Sequence, residues 1–311
     1  MSIATNVLDA IGGTPIVQLH RVVPASSARV LAKLEWANPT GSMKDRMAKA
    51  VIEAAEADGR LRPGETVVEY TAGTTGVSLA LVCAAKGYNL HIIFSDAFSE
   101  EKRLTMQAFG ARITDVTSDN KKITEGLVKE MIETSRRISQ EPGHWWVDQL
   151  NNHDGTKGYY SLGEEVWEQT SGEVDAFVHA VSTAHSIHGV AKALRLHKPD
   201  LHVAAVEPAE SAVLSGGPTG SHKIEGIGIG FIPPLWEPDE VDEILTVSTE
   251  EAKAMTRRLA REEGLFAGTS SGANVVAALR VAERLGPDAT VITIMVDSGL
   301  RYLSTDVYRN T

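Results

Sequence analysis

The sequence predicts an α/β fold of two lobes, each built on a largely parallel sheet covered by helices. Three observations carry this expectation. Short β-branched runs alternate with apolar-periodic segments along most of the chain, as at 66–70 then 77–86 and at 176–181 then 187–196. Small-residue loops separate each run from the segment after it, which is the connection a parallel sheet uses. A chain of 311 residues with 42% hydrophobic content can bury the interior such sheets need.

Taken in order, Ile11-Gly12-Gly13-Thr14-Pro15 reads as a turn into a strand at 16–19, with a second strand at 29–35. Strands follow at 66–70 and 90–94, and helices at 77–86 and 100–109, the latter closed by Gly110 in the C′ position. The period of 123–139 is helical, and Glu141-Pro142-Gly143 stops it. Trp145-Trp146-Val147 reads as a strand before the polar loop 148–156. The second half repeats the pattern: helix 158–169, strand 176–181, helix 187–196, strand 202–206, helices 249–263 and 273–285, strand 290–296. The Gly/Pro-rich stretch 216–238 is irregular, and loops of that length are usually functional. The least regular connections lie near Glu35 and Pro142, which suggests a smaller, mobile lobe at 37–146 carried by a larger lobe of 1–36 plus 147–311.

Composition excludes several classes. A net charge of −11 offers no basic stripe for phosphates, so nucleic acid is not an expected partner. The single cysteine, Cys83, cannot form an internal disulfide and lies in an apolar run, as a buried helix residue in a reducing cytosol would. The apolar stretch 77–94 is broken by Lys86, Asn89 and His91, and the first residues lack the basic-then-apolar pattern of a signal peptide. A cytoplasmic protein without a membrane span is expected.

The candidate chemistry lies in four loops that precede helices. In Asn38-Pro39-Thr40-Gly41-Ser42-Met43-Lys44-Asp45-Arg46, a turn runs directly into an apolar-periodic segment, which puts Lys44 at a helix start. The positive end of the helix dipole disfavours an ammonium there and promotes the neutral amine that Schiff-base chemistry uses. A solvated lysine balanced by Asp45 accounts for the same residues. Thr71-Ala72-Gly73-Thr74-Thr75-Gly76 offers backbone N–H groups and hydroxyls to an anion such as a substrate carboxylate, or simply caps a helix. Ser182-Thr183-Ala184-His185-Ser186 has three hydroxyls at a helix start, suited to a phosphate, although it lacks glycine. Gly268-Thr269-Ser270-Ser271-Gly272-Ala273 places a serine at another helix start. In open α/β sheets, ligands collect at such strand ends. His179, His185 and His188 lie close in sequence, yet no acidic or cysteine partner stands at metal-ligand spacing, so no metal is expected. The letters Gly-x-Ser-x-Gly occur at Gly268-Thr269-Ser270-Ser271-Gly272, but the run follows the expected helix 249–263 and not a strand, so a serine hydrolase elbow is not expected.

The chain resembles the cysteine synthase (O-acetylserine sulfhydrylase) and cystathionine β-synthase group of pyridoxal-phosphate enzymes of fold type II. The resemblance rests on the 11–15 turn, the 38–46 lysine motif, the run His222-Lys-Ile-Glu-Gly-Ile-Gly-Ile-Gly-Phe231, Gly268–Ala273 and 297–305. The glycine-rich run looks more like the sulfhydrylase branch. The resemblance implies that Lys44 forms the Schiff base with pyridoxal 5'-phosphate and moves the α-proton, and that Ser270 faces the pyridine nitrogen. It implies that Thr74 and the cradle Ser182, Thr183, Ala184, His185 and Ser186 also bind the cofactor. Thr71, Ala72, Gly73, Thr75, Gln149 and Gly228 would hold the amino acid substrate. A homodimer is implied, and a complex with serine acetyltransferase is suggested by resemblance alone.

This chain departs from the family pattern at two loops. The usual Thr-Ser-Gly-Asn-Thr-Gly is here Thr71-Ala72-Gly73-Thr74-Thr75-Gly76, and the usual Gly-Thr-Gly-Gly-Thr is Ser182-Thr183-Ala184-His185-Ser186. The expected activity is β-replacement on an O-acetylserine-like amino acid by sulfide or another thiol, giving cysteine or a relative. Two alternatives stand beside it: a β-eliminating lyase (a cysteine desulfhydrase or serine/threonine dehydratase), and a cofactor-free binding homologue motivated by the altered cradle.

Overall fold

A computed structural model describes residues 3–121 and 124–309. In chain order the strands and helices are β1 (Ile16–Gln18), β2 (Arg29–Leu34), α1 (Lys44–Ala57), β3 (Thr66–Tyr70), α2 (Thr74–Lys86), β4 (Asn89–Ser95), α3 (Glu100–Ala108), β5 (Arg112–Val116), α4 (Glu125–Ser139) and β6 (His144–Trp146). They continue as α5 (Asp154–Lys157), α6 (Tyr160–Gln169), β7 (Ala176–Ala180), α7 (His185–His197), β8 (His202–Pro208), β9 (Glu243–Val247), α8 (Thr249–Arg258), α9 (Thr269–Leu285) and β10 (Thr290–Met295).

The chain divides into two compact units. One contains the residues up to Ile11 and Lys44–Gly158; the other contains Gly12–Met43 and the chain from Tyr159 onward. The first carries a four-stranded sheet, β5-β4-β3-β6, with every pairing parallel. Its strand β3 is buried from Val67 to Tyr70, as a strand covered on both faces must be. The second carries a six-stranded sheet in the order β1-β2-β10-β7-β8-β9, parallel except for the β1–β2 pair. All of β7 and β10 is buried, and α9 lays Ala273, Ala277, Ala278 and Val281 into the same core. Small side chains on α9 allow close approach to the sheet and so keep its first turn at the strand ends.

Local chemistry sets the helix starts. The Ser99 hydroxyl accepts from the Lys102 N–H at the head of α3, and the Thr124 hydroxyl accepts from the Leu127 N–H at α4. Ser248 and Glu251 form a reciprocal capping box at α8. That helix ends in a π-helical turn, Leu259–Glu263, so the expected helix 249–263 changes hydrogen-bond register in its last turn.

Some expectations are corrected. The expected lobe boundaries differ from the two units at three stretches. Residues 37–43 go with the six-stranded unit, because the Met43 N–H donates to the Val296 carbonyl and Ser42 pairs with Asp297. Residues 147–158 go with the four-stranded unit, where the Gln149 N–H donates to Glu69 Oε2 at 3.1 Å. The residues up to Ile11 also join that unit, where the Leu8 carbonyl accepts from Lys49 Nζ. Two strands absent from the sequence reading, β5 and β9, each lie at one edge of their sheet. Helix α9 begins at Thr269, four residues before the expected start, so it includes Ser270. Of the expected helix 123–139, Ile123 lies outside the described residues.

Candidate active site

Lys44 is the first residue of α1, and its side chain is buried. Burial pulls its amine down from 10.5 to about 8, because an ammonium loses its hydration there. The direction agrees with the expectation, and desolvation by burial accounts for it.

In the same unit, Thr71, Gly73, Thr75 and Gln149 form one hydrogen-bonded group at the C-terminal end of β3. Thr71 Oγ1 accepts from the Gly73 N–H at 2.8 Å and from the Gly76 N–H at 3.2 Å, which curls the loop into the start of α2. Gly73 has φ +128°, and a Cβ there would lie 2.2 Å from Lys102 Cδ, so only glycine fits beside the buried lysine stem. Thr75 Oγ1 donates to Gln149 Oε1 at 3.1 Å, and Gln149 Nε2 donates to the Tyr70 carbonyl at 2.9 Å. Behind them, the Glu69 carboxylate accepts from the Tyr70 and Gln149 N–H groups at 2.9 and 3.1 Å. Burial pushes that carboxyl up to about 8, against the opposing pull of the Gln149 N–H. Ala72 is exposed and Thr74 half-buried at the first position of α2. A helix start leaves its first N–H groups without intrahelical acceptors, so this loop can receive a carboxylate.

In the other unit, the cradle Ser182–Ser186 links the end of β7 to α7. Ala184, the N-cap, has φ +70°, a left-handed conformation that an alanine rarely adopts. The loop therefore keeps a glycine-type turn without a glycine. Thr183 Oγ1 lies 2.9 Å from His185 Nδ1, and Ser186 Oγ lies 2.9 Å from His179 Nε2. All four side chains are buried, while Ser182 is half-buried. Gly228 is tied to the same strand end, its N–H donating to the Val181 carbonyl at 3.0 Å. Ser270 is buried in the first turn of α9. One turn later, Asn274 Oδ1 accepts from the Ala180 N–H at 2.8 Å, which brings the α9 start to the end of β7 where the cradle begins.

His188 faces elsewhere. Its Nε2 accepts from the Glu237 N–H at 3.1 Å, and burial pulls its pKa down to about 4. The histidines that lie near one another in sequence thus separate into a strand residue, a cradle residue and a loop anchor. The sequence reading assigned no site role to Asn274 or Glu69. Their one signal is spacing: Asn274 lies one helical turn beyond Ser270, and Glu69 lies two residues before Thr71.

The sequence matches the family described as pyridoxal-phosphate dependent enzyme over residues 7–297. A cysteine synthase of Staphylococcus aureus is 41% identical over 305 residues, covering 97% of this chain and 96% of that protein. The crystal structure of a cysteine synthase from Entamoeba histolytica superposes with a TM-score of 0.92 at 38% identity, covering 100% of this chain and 92% of that one. An O-acetylserine dependent cystathionine β-synthase from Helicobacter pylori does so with a TM-score of 0.92 at 35% identity, covering 99% and 100%. With a sequence match across nearly its whole length and two fold type II sheets, the chain belongs to the pyridoxal-phosphate dependent enzymes, in the company of the cysteine synthases.

Proposed function

We propose that the protein catalyses β-replacement on O-acetylserine, with sulfide as the nucleophile and cysteine as the product. The observation that carries this reading is the 41% identity to a cysteine synthase over 97% of the chain. The residues fit the cofactor. A phosphate suits a helix start flanked by the Thr183 and Ser186 hydroxyls, and the left-handed Ala184 supplies the turn such a cradle needs. An aldehyde needs a lysine amine with a neutral fraction near neutrality, and buried Lys44 supplies one.

In this reading, Lys44 Nζ holds the cofactor and then takes the proton from the substrate's Cα. When bound, pyridoxal phosphate supplies an electron sink for the charge released at that carbon. Ser270 Oγ would pair with the ring nitrogen, and a neutral hydroxyl there would leave that nitrogen unprotonated and so favour loss of a β-substituent. The N–H groups at the start of α2 bind the substrate carboxylate. Gln149 orients the Thr75 hydroxyl beside it. Ala72 and Gly228 are further residues proposed to contact the substrate, and Thr74, Ser182 and His185 to contact the cofactor.

A second reading concerns the nucleophile. The Helicobacter pylori relative is described as an O-acetylserine dependent cystathionine β-synthase, so a larger thiol is the specific competitor to sulfide. Purified holoenzyme given O-acetylserine and sulfide should form cysteine. Thioether formation with a bulkier thiol in preference to sulfide would move the assignment to the second reading. Pyruvate released without incorporation of either nucleophile would make the enzyme an eliminating lyase. A cytoplasmic homodimer belongs to the same proposal and is supported by the family resemblance, as is, more distantly, a serine acetyltransferase complex.

A further inference from the structure

We infer that His179 is a positioning residue that fixes which way the Ser186 hydroxyl points its proton. The inference rests on the reading of the α7 start as the phosphate cradle. It begins at Asn274, whose amide orientation is set by two backbone groups. Its Oδ1 accepts from the Ala180 N–H at 2.8 Å, and its Nδ2 donates to the Ile294 carbonyl at 2.8 Å. Reversing the amide would set donor against donor and acceptor against acceptor, so the orientation is fixed by the sheet itself.

The second proton on Nδ2 faces His179 Nδ1 at 3.2 Å. A ring nitrogen that faces a donor must accept, so the ring proton resides on Nε2. Nε2 lies 2.9 Å from Ser186 Oγ and donates to it. The serine oxygen therefore acts as acceptor toward the histidine, and its own O–H is turned away from the ring, free to donate to an anion seated at the first turn of α7. An anion there gains a directed donor from a hydroxyl that could otherwise rotate. His179, Ser186 and Asn274 are all buried, and an incompletely matched chain of polar groups in such a place would be costly. The chain Asn274–His179–Ser186 runs from the helix that carries Ser270 to the helix that opens at the cradle, so one polar relay serves both ends of the proposed cofactor site.

Two measurements on the holoenzyme test this. Nitrogen NMR of ¹⁵N-histidine-labelled enzyme should show the His179 proton on Nε2; a proton on Nδ1 overturns the inference whatever the role of the cradle. Cofactor dissociation constants, with the ³¹P signal of the bound phosphate beside them, should separate the inference from the reading beneath it. Ser186→Ala should weaken cofactor binding about 10- to 100-fold, the effect of losing one hydrogen bond to a charged group. His179→Leu should weaken it in the same direction and shift the ³¹P signal likewise. His179→Gln, whose amide can donate from near the Nε2 position, should restore much of both. The His179→Leu/Ser186→Ala pair should lose no more than Ser186→Ala alone. If Ser186→Ala weakens binding while His179→Leu does not, His179 has no positioning role and the cradle reading stands. If Ser186→Ala leaves affinity and the ³¹P signal unchanged, the phosphate is held elsewhere and the cradle reading itself fails. Should His179→Leu not fold, the tautomer, Ser186→Ala and His179→Gln decide the question.

Discussion

Thr75 Oγ1 donates to Gln149 Oε1 at 3.1 Å, and the same glutamine amide is held from its other side by the Tyr70 carbonyl. The hydroxyl proton of Thr75 is thereby committed inward. What remains for a substrate carboxylate is the threonine's position at the helix start and the N–H groups around it. Gln149→Ala removes the acceptor and leaves a buried hydroxyl to find another, at a cost of about 1–3 kcal/mol. Steady-state kinetics should show KM for the amino acid substrate rising about tenfold or more, with a smaller change in kcat. An unchanged KM would detach this group from substrate binding.

Lys44 carries a prediction in both activity and stability. Lys44→Met should abolish turnover and the visible absorbance of the lysine-linked cofactor. In the apo-protein, the folded-state amine titrates near 8 and the ordinary value is 10.5. Below about 8 both folded and unfolded chains are protonated, so the folded state bears the whole burial penalty. Between about 8 and 10.5 the unfolded chain holds the extra proton, and stability rises with pH. Apo Lys44→Met should therefore be more stable than wild type near pH 7, by about 3 kcal/mol, with the gain shrinking as pH approaches 10.5. Urea unfolding at several pH values measures this directly.

Glu69 should show the opposite slope. Its folded-state carboxyl is raised to about 8 from 4.5, so the folded chain holds the extra proton between those values. Stability from this group falls as pH rises through that window. Glu69→Gln retains one acceptor for the Tyr70 and Gln149 N–H groups and cannot ionise. It should sit below wild type near pH 5, by about 1–3 kcal/mol for the N–H left facing the amide nitrogen, and gain on it steadily toward pH 8. A pH-independent difference in thermal unfolding would show that the carboxyl does not titrate in this range.

Ala184→Gly tests the cradle backbone. An alanine in the left-handed region costs about 1–2 kcal/mol, and glycine also loses more freedom on folding. The net expectation is a modest stabilisation, under about 1 kcal/mol, with cofactor affinity unchanged because the loop path is retained. A marked loss of cofactor affinity would mean that the methyl group itself packs the site.

Much of the architecture was legible in local pattern. Buried parallel strands announce themselves as β-branched runs, and β3, β4, β7, β8 and β10 were all readable in that way. The edge strands β5 and β9 were not, because Arg112-Ile-Thr-Asp-Val116 and Glu243-Ile-Leu-Thr-Val247 expose polar positions, and their pairing is supplied by a neighbour rather than by their own composition. The start of α9 was hidden because Thr269, Ser270 and Ser271 look like loop residues; here Ser271 Oγ accepts from the Val296 N–H and is thus occupied by the tertiary fold. Lys44 stood out from its motif, although the reason for its lowered pKa, burial, is a property of packing. The Asn274–His179 contact spans 95 residues, and no local spacing encodes it.

Ala184 also bears on how such proteins are recognised. The geometry of the cradle is carried by a dihedral angle, and here a residue with a side chain occupies that angle. A search keyed to the letters of a glycine signature would pass over this loop, whereas one keyed to backbone conformation would find it. If the proposed phosphate cradle is right, the shape of an anion site here outlasts the sequence motif by which it is usually known.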